Sequence, residues 1–562
     1  MLDDSIGPAD TLPIRIPHAP AKTTPSSPEG KAHTLEKVGS SKLTVQRSGQ
    51  VATEDEIRDF LHVVDNIPAL VWLATLVGVA ERFTWYGNTG PLQNYLQHAP
   101  DSAIRGALGL SQATASNIVS AVIAASYFTP VPAAVLADSW LGRYWTLVLC
   151  YSIVLAGSLI LFVTSLPSMM ERGTAEWGVY TAMVLLSLGS GGVKAVVSPF
   201  IADQYAKRDS TIKVLKSGEL AVTDREITIQ YIYNAYNWLV NIGGLSALAI
   251  TLLERYVSFW AAYLVPFCGI CLGAVPLFLW SNKFVREPPV GTTIPHATQA
   301  MTYAVKGGFR MDAAKPEFQQ REREKTVPWD NRFIDELKSG LHTCRILLLF
   351  PIHWLCLNQT FNNLISQAGT MVGSGVPNDT IKSLDPISII IFTPLVQRLL
   401  YPYLTRRRIR FQPIVRITVG FALLAVSMAV TTGVQKAIYS AGPCYNHPLD
   451  CPASNGGQIP DQVSMFLQAP IYVLGGIAEI FCYVTGLEYS YNQAPRSMRS
   501  IVQAYWLSMA GFGSVLSIAL TPLAKDPDFV VMYVVLTGLM AATTVIFWVF
   551  FRHSNNKAMD MI

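Results

Sequence analysis

Charge is scarce in this chain. Asp, Glu, Lys and Arg make up 14% of its 562 residues, and 51% of the chain is hydrophobic. A soluble domain carries charge at about a quarter of its positions. The deficit, with repeated apolar runs of roughly 20 residues, excludes an ordinary soluble fold and leaves a polytopic, all-α membrane protein embedded in a lipid bilayer. The net charge of +4 is small, and nothing in it calls for a nucleic-acid partner. Catalytic signatures are missing as well: there is no HExxH pair, no GxSxG elbow and no nucleotide loop. The expectation is a protein that is not an enzyme and needs neither cofactor nor metal. Residues 1–66 lack an apolar segment with a cleavage site, so no secretory signal peptide is expected there. Their Pro, Ser, Thr and charge read as a disordered tail. Of the 8 cysteines, Cys150, Cys268, Cys271, Cys356 and Cys482 lie in apolar runs and read as packing residues. Cys444 and Cys451 share a loop and are candidates for an external disulfide.

What is present is about twelve apolar spans. Six fall near 68–96, 113–137, 143–166, 176–200, 228–250 and 258–281; six more fall near 343–372, 384–404, 412–433, 464–489, 500–522 and 529–551. This divides the chain into a cytoplasmic tail (1–66), a six-helix bundle (67–282), a polar linker (283–342), a second six-helix bundle (343–552) and a short tail (553–562). Orientation follows from the Lys/Arg bias of the loops. One side collects Arg143, Lys207, Arg208, Lys213, Lys216, Arg225, the basic linker and the run Arg406-Arg407-Arg408. The other has only scattered charges such as Arg172, Lys382 and Lys436. Both termini and the linker are therefore expected in the cytoplasm, and the Cys444–Cys451 loop outside. Asn378-Asp379-Thr380 is a glycosylation sequon on the external side, too close to the membrane for use to be expected.

Charges inside the spans single out function. GVAERFTWYG, residues 78–87, puts Glu81 and Arg82 at membrane depth. A charge there costs about 2.5–3.5 kcal/mol on insertion scales, so it persists where it is paired or faces water. The two are about 100° apart around a helix and need not pair with each other. Lys194 sits mid-span among Gly191, Gly192 and apolar residues, and needs an anionic partner, either Glu81 or a substrate carboxylate. The glycines allow a neighbouring helix to approach closely.

Asp138, Gly142 and Arg143 in AVLADSWLGRYWTL (134–147) match the loop after the second helix in the major facilitator superfamily. Four further segments resemble the proton-coupled oligopeptide transporter family, its fungal branch most. GVAERFTWYG looks like its first-helix ExxERFxYYG motif, and GSGGVKAVVSPFIADQY (189–205) like its fourth-helix motif. YNWLVNIGGL (236–245) and GLEYSYNQAPRSM (486–498) look like its fifth- and tenth-helix patterns. The resemblance covers nearly all of 67–552 and implies a major facilitator fold, two six-helix bundles rocking about a central site.

It also implies roles. Arg82 offers a planar fork for a carboxylate; Arg82 and Lys194 in one half, with Glu488 in the other, form a clamp for the two ends of a short peptide. Tyr86 is expected to face the pocket with Asn358 and Gln359; Trp85, Trp354 and Tyr505 are weaker candidates, since aromatics in such helices commonly pack. Glu479 is either a second buried acid or an interhelical hydrogen bonder. The chain departs from the family where Gly78 replaces the first motif Glu, implicated in proton coupling. Ala195 and Gln397 stand where Pro and Asp are usual. Glu81 and Glu479 remain as possible proton carriers. The expected function is transport of di- or tripeptides or peptide-like molecules by a monomer in the plasma membrane, with proton symport as the energy source. A proton-independent facilitator or exporter of a peptide-derived metabolite is the alternative, and a non-transporting peptide receptor is a third reading.

Overall fold

In the computed structural model the described residues are 50–101, 106–207, 209–215, 219–289, 293–308, 310–373, 375–407, 411–455, 457–487, 489 and 499–552. The chain divides into two compact units, Met1–Val71 with Gln204–Tyr236, and Trp72–Asp203 with Asn237–Ile562.

The smaller unit revises the expected tail from residue 50 onward. Thr53 caps the helix Glu54–Asp59 through a reciprocal box with Glu56, whose carboxylate accepts from the Thr53 N–H at 2.9 Å. Three short strands follow, β1 (Leu61–Val63), β2 (Ile212–Val214) and β3 (Leu220–Thr223), in the order β1-β3-β2. Leu61 lies opposite Ala221 in a parallel pair, and Ile212 opposite Val222 in an antiparallel one. Ala52, Ile212 and Val222 make the apolar centre. Asp65 accepts from Lys207 Nζ (2.7 Å) and the Tyr205 hydroxyl (2.8 Å). A segment of 17 residues that reads as tail is thus ordered by partners about 150 positions away, which local composition cannot register.

The larger unit holds most of the membrane-helix residues, with Ala69–Thr89 and Ile227–Tyr256 beginning in the smaller one. Lipid offers no hydrogen bonds to a backbone, so each span closes its own ladder as a helix. Every predicted span finds one. Nine helices among the described residues are long and apolar enough to cross a membrane, or ten with the bent pair Asn331–Leu347 and Phe350–Gly369. The remaining places are the second arm of the 53-residue run Gln112–Thr164 and Ala69–Thr89, which carries Glu81 and Arg82. Leu272, Leu279 and Phe550 are each at least 70% exposed, as residues facing lipid tails should be. Gly191 lets helix Ala175–Asp203 close on its neighbour: a Cβ there would stand 2.7 Å from the Ser126 carbonyl oxygen and from Thr129. That contact brings Lys194, one turn on, beside Ser126 and Tyr127. Gly142 has φ +76°, a left-handed turn that suits glycine; next to it Arg143 grips both oxygens of Asp203 at 2.7 and 2.8 Å.

The linker folds. Helices Thr293–Lys306 and Asn331–Leu347 gather around Trp329, buried with Ala297, Ala300, Ala314, Ile334 and Leu337, and helix Pro316–Arg323 is tied in by Gln319, whose Nε2 donates to the Ala313 carbonyl at 2.6 Å. Trp329 Nε1 donates to the Ala314 carbonyl at 2.9 Å. Cys444 and Cys451 form a disulfide with Cα atoms 5.5 Å apart.

Candidate functional site

The site begins on Ala69–Thr89, where Arg82 and Tyr86 share a face because residues four apart are neighbours on a helix. Glu81 is fully buried, and both its oxygens are engaged. Arg82 Nε donates to Oε2 at 2.8 Å, and the Ser190 hydroxyl donates to Oε1 by a short bond. The two adjacent residues therefore do pair, because the long arginine side chain reaches back across the 100° between them. A buried carboxylate stripped of water is tolerable only with such partners.

Lys194 lies one turn beyond Ser190 on Ala175–Asp203 and is held differently. Its Nζ donates to Ser126 Oγ at 3.0 Å and sits 4.0 Å from the ring centre of Tyr127 and 4.6 Å from that of Trp85. Arg82 and Glu81 are within electrostatic reach, but no carboxylate among the described residues forms an ion pair with it. A desolvated cation over an aromatic face gains about 2 kcal/mol or more. The box keeps the charge buried yet leaves its anion-pairing capacity unspent.

The second half supplies the other wall. Trp354 packs on Tyr127 at 5.8 Å and edge-on to Tyr483 at 6.0 Å. Tyr86 feels the charges of Arg82, Glu479 and Asp385, and Tyr483 those of Glu479 and Arg82. Arg82, Lys194 and the paired Glu81 thus lie on one half, Glu479 and Asp385 on the other, with aromatic rings between them. Asp385 is held against Gly476, where a Cβ would meet its carboxylate at 3.2 Å. Glu488 lies outside the described residues. Asn358 is buried, with its amide donating to Ser514 Oγ at 2.7 Å, so it ties two helices together in this conformation. Gln359 is committed likewise, to Ser517 Oγ at 3.3 Å. Tyr505 packs against the apolar core of the second half. Ser126, Tyr127, Ser190, Tyr483 and Asp385 are additions. Of these only Asp385, a charge opening the run DPISIIIF, carried a signal in the sequence.

At the end of the helices away from the basic loops, amides and hydroxyls join the two halves. Ser116 donates to Asn363 Oδ1 (2.9 Å), Asn362 to Ser120 Oγ (3.1 Å), and Thr251 and Thr380 share a bond of 2.8 Å. Asn94 and Asn378 exchange amide bonds at 2.9 and 3.1 Å. The Asn378 nitrogen also donates to the Ile365 carbonyl, so the atom that would carry a glycan is turned into the protein.

Two helical halves sealed at one end around a charged, ring-lined site define a multi-pass membrane carrier of the major facilitator type. Residues 144–551 match the POT family. Peptide transporter PTR_C of Candidozyma auris is 40% identical over 517 residues, 92% of this chain and 89% of the relative. Peptide transporter PTR2 of Saccharomyces cerevisiae is 36% identical over 512 residues, 91% of this chain and 83% of the relative. The POT family transporter PepTSo, solved in meso, superposes with a TM-score of 0.68 at 19% identity, over 87% of this chain and 99% of that one. The chain belongs to the POT family.

Proposed function

We propose that this protein carries di- or tripeptides, or peptide-like small molecules, across the plasma membrane by alternating access, driven by protons. The observation that carries the reading is Lys194, an ammonium boxed by Tyr127, Trp85 and Ser126 with no carboxylate among the described residues in an ion pair with it. A peptide carboxylate completes that site, with Arg82 as the second grip; its own pairing to Glu81 keeps the guanidinium aimed. Glu488, Glu479 and Asp385 offer the negative charge that the peptide ammonium needs. The bundles 67–282 and 343–552 rock about this site, and peptide shifts their balance by binding the two states unequally. The protein works as a monomer.

One observation favours a second reading. Gly78 stands where an acid would lie beside Arg82, one turn away, and a proton-independent facilitator or exporter would have no use for that acid. Labelled dipeptide in proteoliposomes separates the two. Accumulation above the outside concentration under an acid-outside gradient supports symport. Mere equilibration, unchanged by the gradient, supports the facilitator, and no movement at all removes transport in favour of a receptor.

A further inference from the structure

The helix Ser246–Tyr256 and the segment Asn378–Leu395 belong to opposite halves, and where they meet two carboxyl groups face each other, Glu254 and Asp379. Asp379 is 2% exposed and Glu254 4%. Asn94 Nδ2 donates to Glu254 Oε1 at 3.0 Å. The other three oxygens, Glu254 Oε2 and both of Asp379, are buried with no donor in hydrogen-bonding geometry. The backbone N–H groups of Asp379 and Thr380 lie nearby without meeting it. Two bare carboxylates cannot share such a place, since each would be a desolvated charge repelled by the other. One proton held between them turns the repulsion into a hydrogen bond.

The surroundings offer a way inward. Asp379 and Lys382 lie three apart in the 3-10 turn Asn378–Ser383 and so eclipse each other. Lys382, also buried, sits 3.5 Å over the Phe361 ring and faces both Asp379 and Asp385. Asp385, with Oδ1 buried and unpartnered, faces Glu479 at the central site. The remaining titratable groups turned toward the carboxyl pair are Arg255 beside Glu254, Tyr263 on Phe259–Leu279 and Tyr472 on Ala469–Glu479. His98, beyond Arg255, faces that guanidinium.

We propose that Glu254 and Asp379 bind one proton as the two halves close at this end, and that Lys382 and Asp385 pass it along the segment to Glu479. The inference rests on the proton-driven reading above and supplies the acid that Gly78 lacks. The proton comes from external water at closure and leaves Glu479 for cytoplasmic water once the site opens inward. Its departure leaves two facing carboxylates behind, and their repulsion favours reopening to the outside. No proton is created or lost in the cycle.

The test uses full-length protein in proteoliposomes with labelled dialanine, read in two ways: accumulation under an acid-outside gradient, and counterflow exchange without one. Glu254→Gln and Asp379→Asn are each expected to keep exchange and lose gradient-driven accumulation. Infrared difference spectra of wild-type protein should also show a protonated buried carboxyl band that Asp379→Asn removes. Variants that accumulate dialanine as wild type does overturn the inference alone. Wild-type protein that exchanges but ignores the gradient overturns the proton-driven reading and this inference with it. Loss of exchange together with accumulation makes the pair a structural clasp, and absence of the infrared band in wild type removes the bound proton; either result overturns the proposal.

Discussion

Lys194 and Arg82 solve the same problem, a cation at membrane depth, by opposite means. Arg82 is neutralised by the neighbouring Glu81, which Ser190 also holds. Lys194 is stabilised by ring faces and one hydroxyl. Ring quadrupoles attract a cation without cancelling its charge, so Lys194 remains the stronger attractor for an incoming carboxylate. Lys194→Met keeps the volume and removes the charge. Unpairing a buried, hydrogen-bonded charge at a binding site costs about 2 kcal/mol or more, so dipeptide affinity should fall roughly thirtyfold. The fall should shrink for a peptide amidated at its carboxyl end. Calorimetry on purified protein checks both, and an equal fall for the two ligands would detach Lys194 from the carboxylate. Arg82→Lys should weaken binding as well, because an ammonium cannot reproduce the fork that holds Glu81 and ligand together.

At the scale of elements, the small unit has a pH response of its own. His62 Nδ1 lies 2.7 Å from Asp224 Oδ2, and Nε2 lies 2.7 Å from the Ile57 carbonyl. Both neighbours are acceptors, so both ring nitrogens must donate and the imidazolium is the form that fits. The bond to Asp224, helped by that to Ile57, raises the His62 pKa above its ordinary 6.5. A pKa higher in the folded than in the unfolded state gives stability that is complete below the unfolded value and fades as pH rises through the folded one. Hydrogen exchange at Leu61–Val63 and Leu220–Thr223, corrected for intrinsic rates, should therefore accelerate as pH climbs above about 6.5. His62→Gln should flatten that dependence. A wild-type profile already flat across this range would mean that His62 is neutral in the folded unit.

The same scale explains what could be read from residues alone. Glu81, Arg82 and Lys194 stood out because charge in the middle of an apolar run is expensive and therefore informative, and Tyr86 stood out only through the motif that it shares with them. Glu254, Asp379 and Lys382 were not, since they lie at span ends, where charge is ordinary and carries no signal. Their significance depends on Ser246–Tyr256 meeting Asn378–Leu395, a tertiary fact that no period of hydrophobicity encodes. The packing inside the linker was hidden for a related reason. Its polarity hides a small core in which Trp329, three alanines, Ile334 and Leu337 pack two helices around one indole.

At the scale of the whole molecule, the seal between the halves is built from neutral side chains as well as the carboxyl pair. Serines, threonines and amides make its bonds, among them Gln93 to Ser366 (3.2 Å) and Thr251 to Thr380 (2.8 Å). Each such bond is worth only about 0.5–1.5 kcal/mol net, because open halves would bond to water instead. A seal made of many small terms can be broken and remade at every cycle, where a few strong buried ion pairs would hold it shut. Alternating access then requires Thr251 and Thr380 to separate whenever the site faces outward. Thr251→Cys with Thr380→Cys, in a background free of the six other unpaired cysteines, should form a disulfide on oxidation that stops dipeptide uptake. Reduction should restore it, and neither single variant should respond to oxidant. Binding measured from the cytoplasmic face should survive the cross-link, because the site itself is untouched. Uptake that continues at the wild-type rate with the cross-link verified by mass spectrometry would mean that these two helix ends never part, and that peptide reaches Lys194 by another opening.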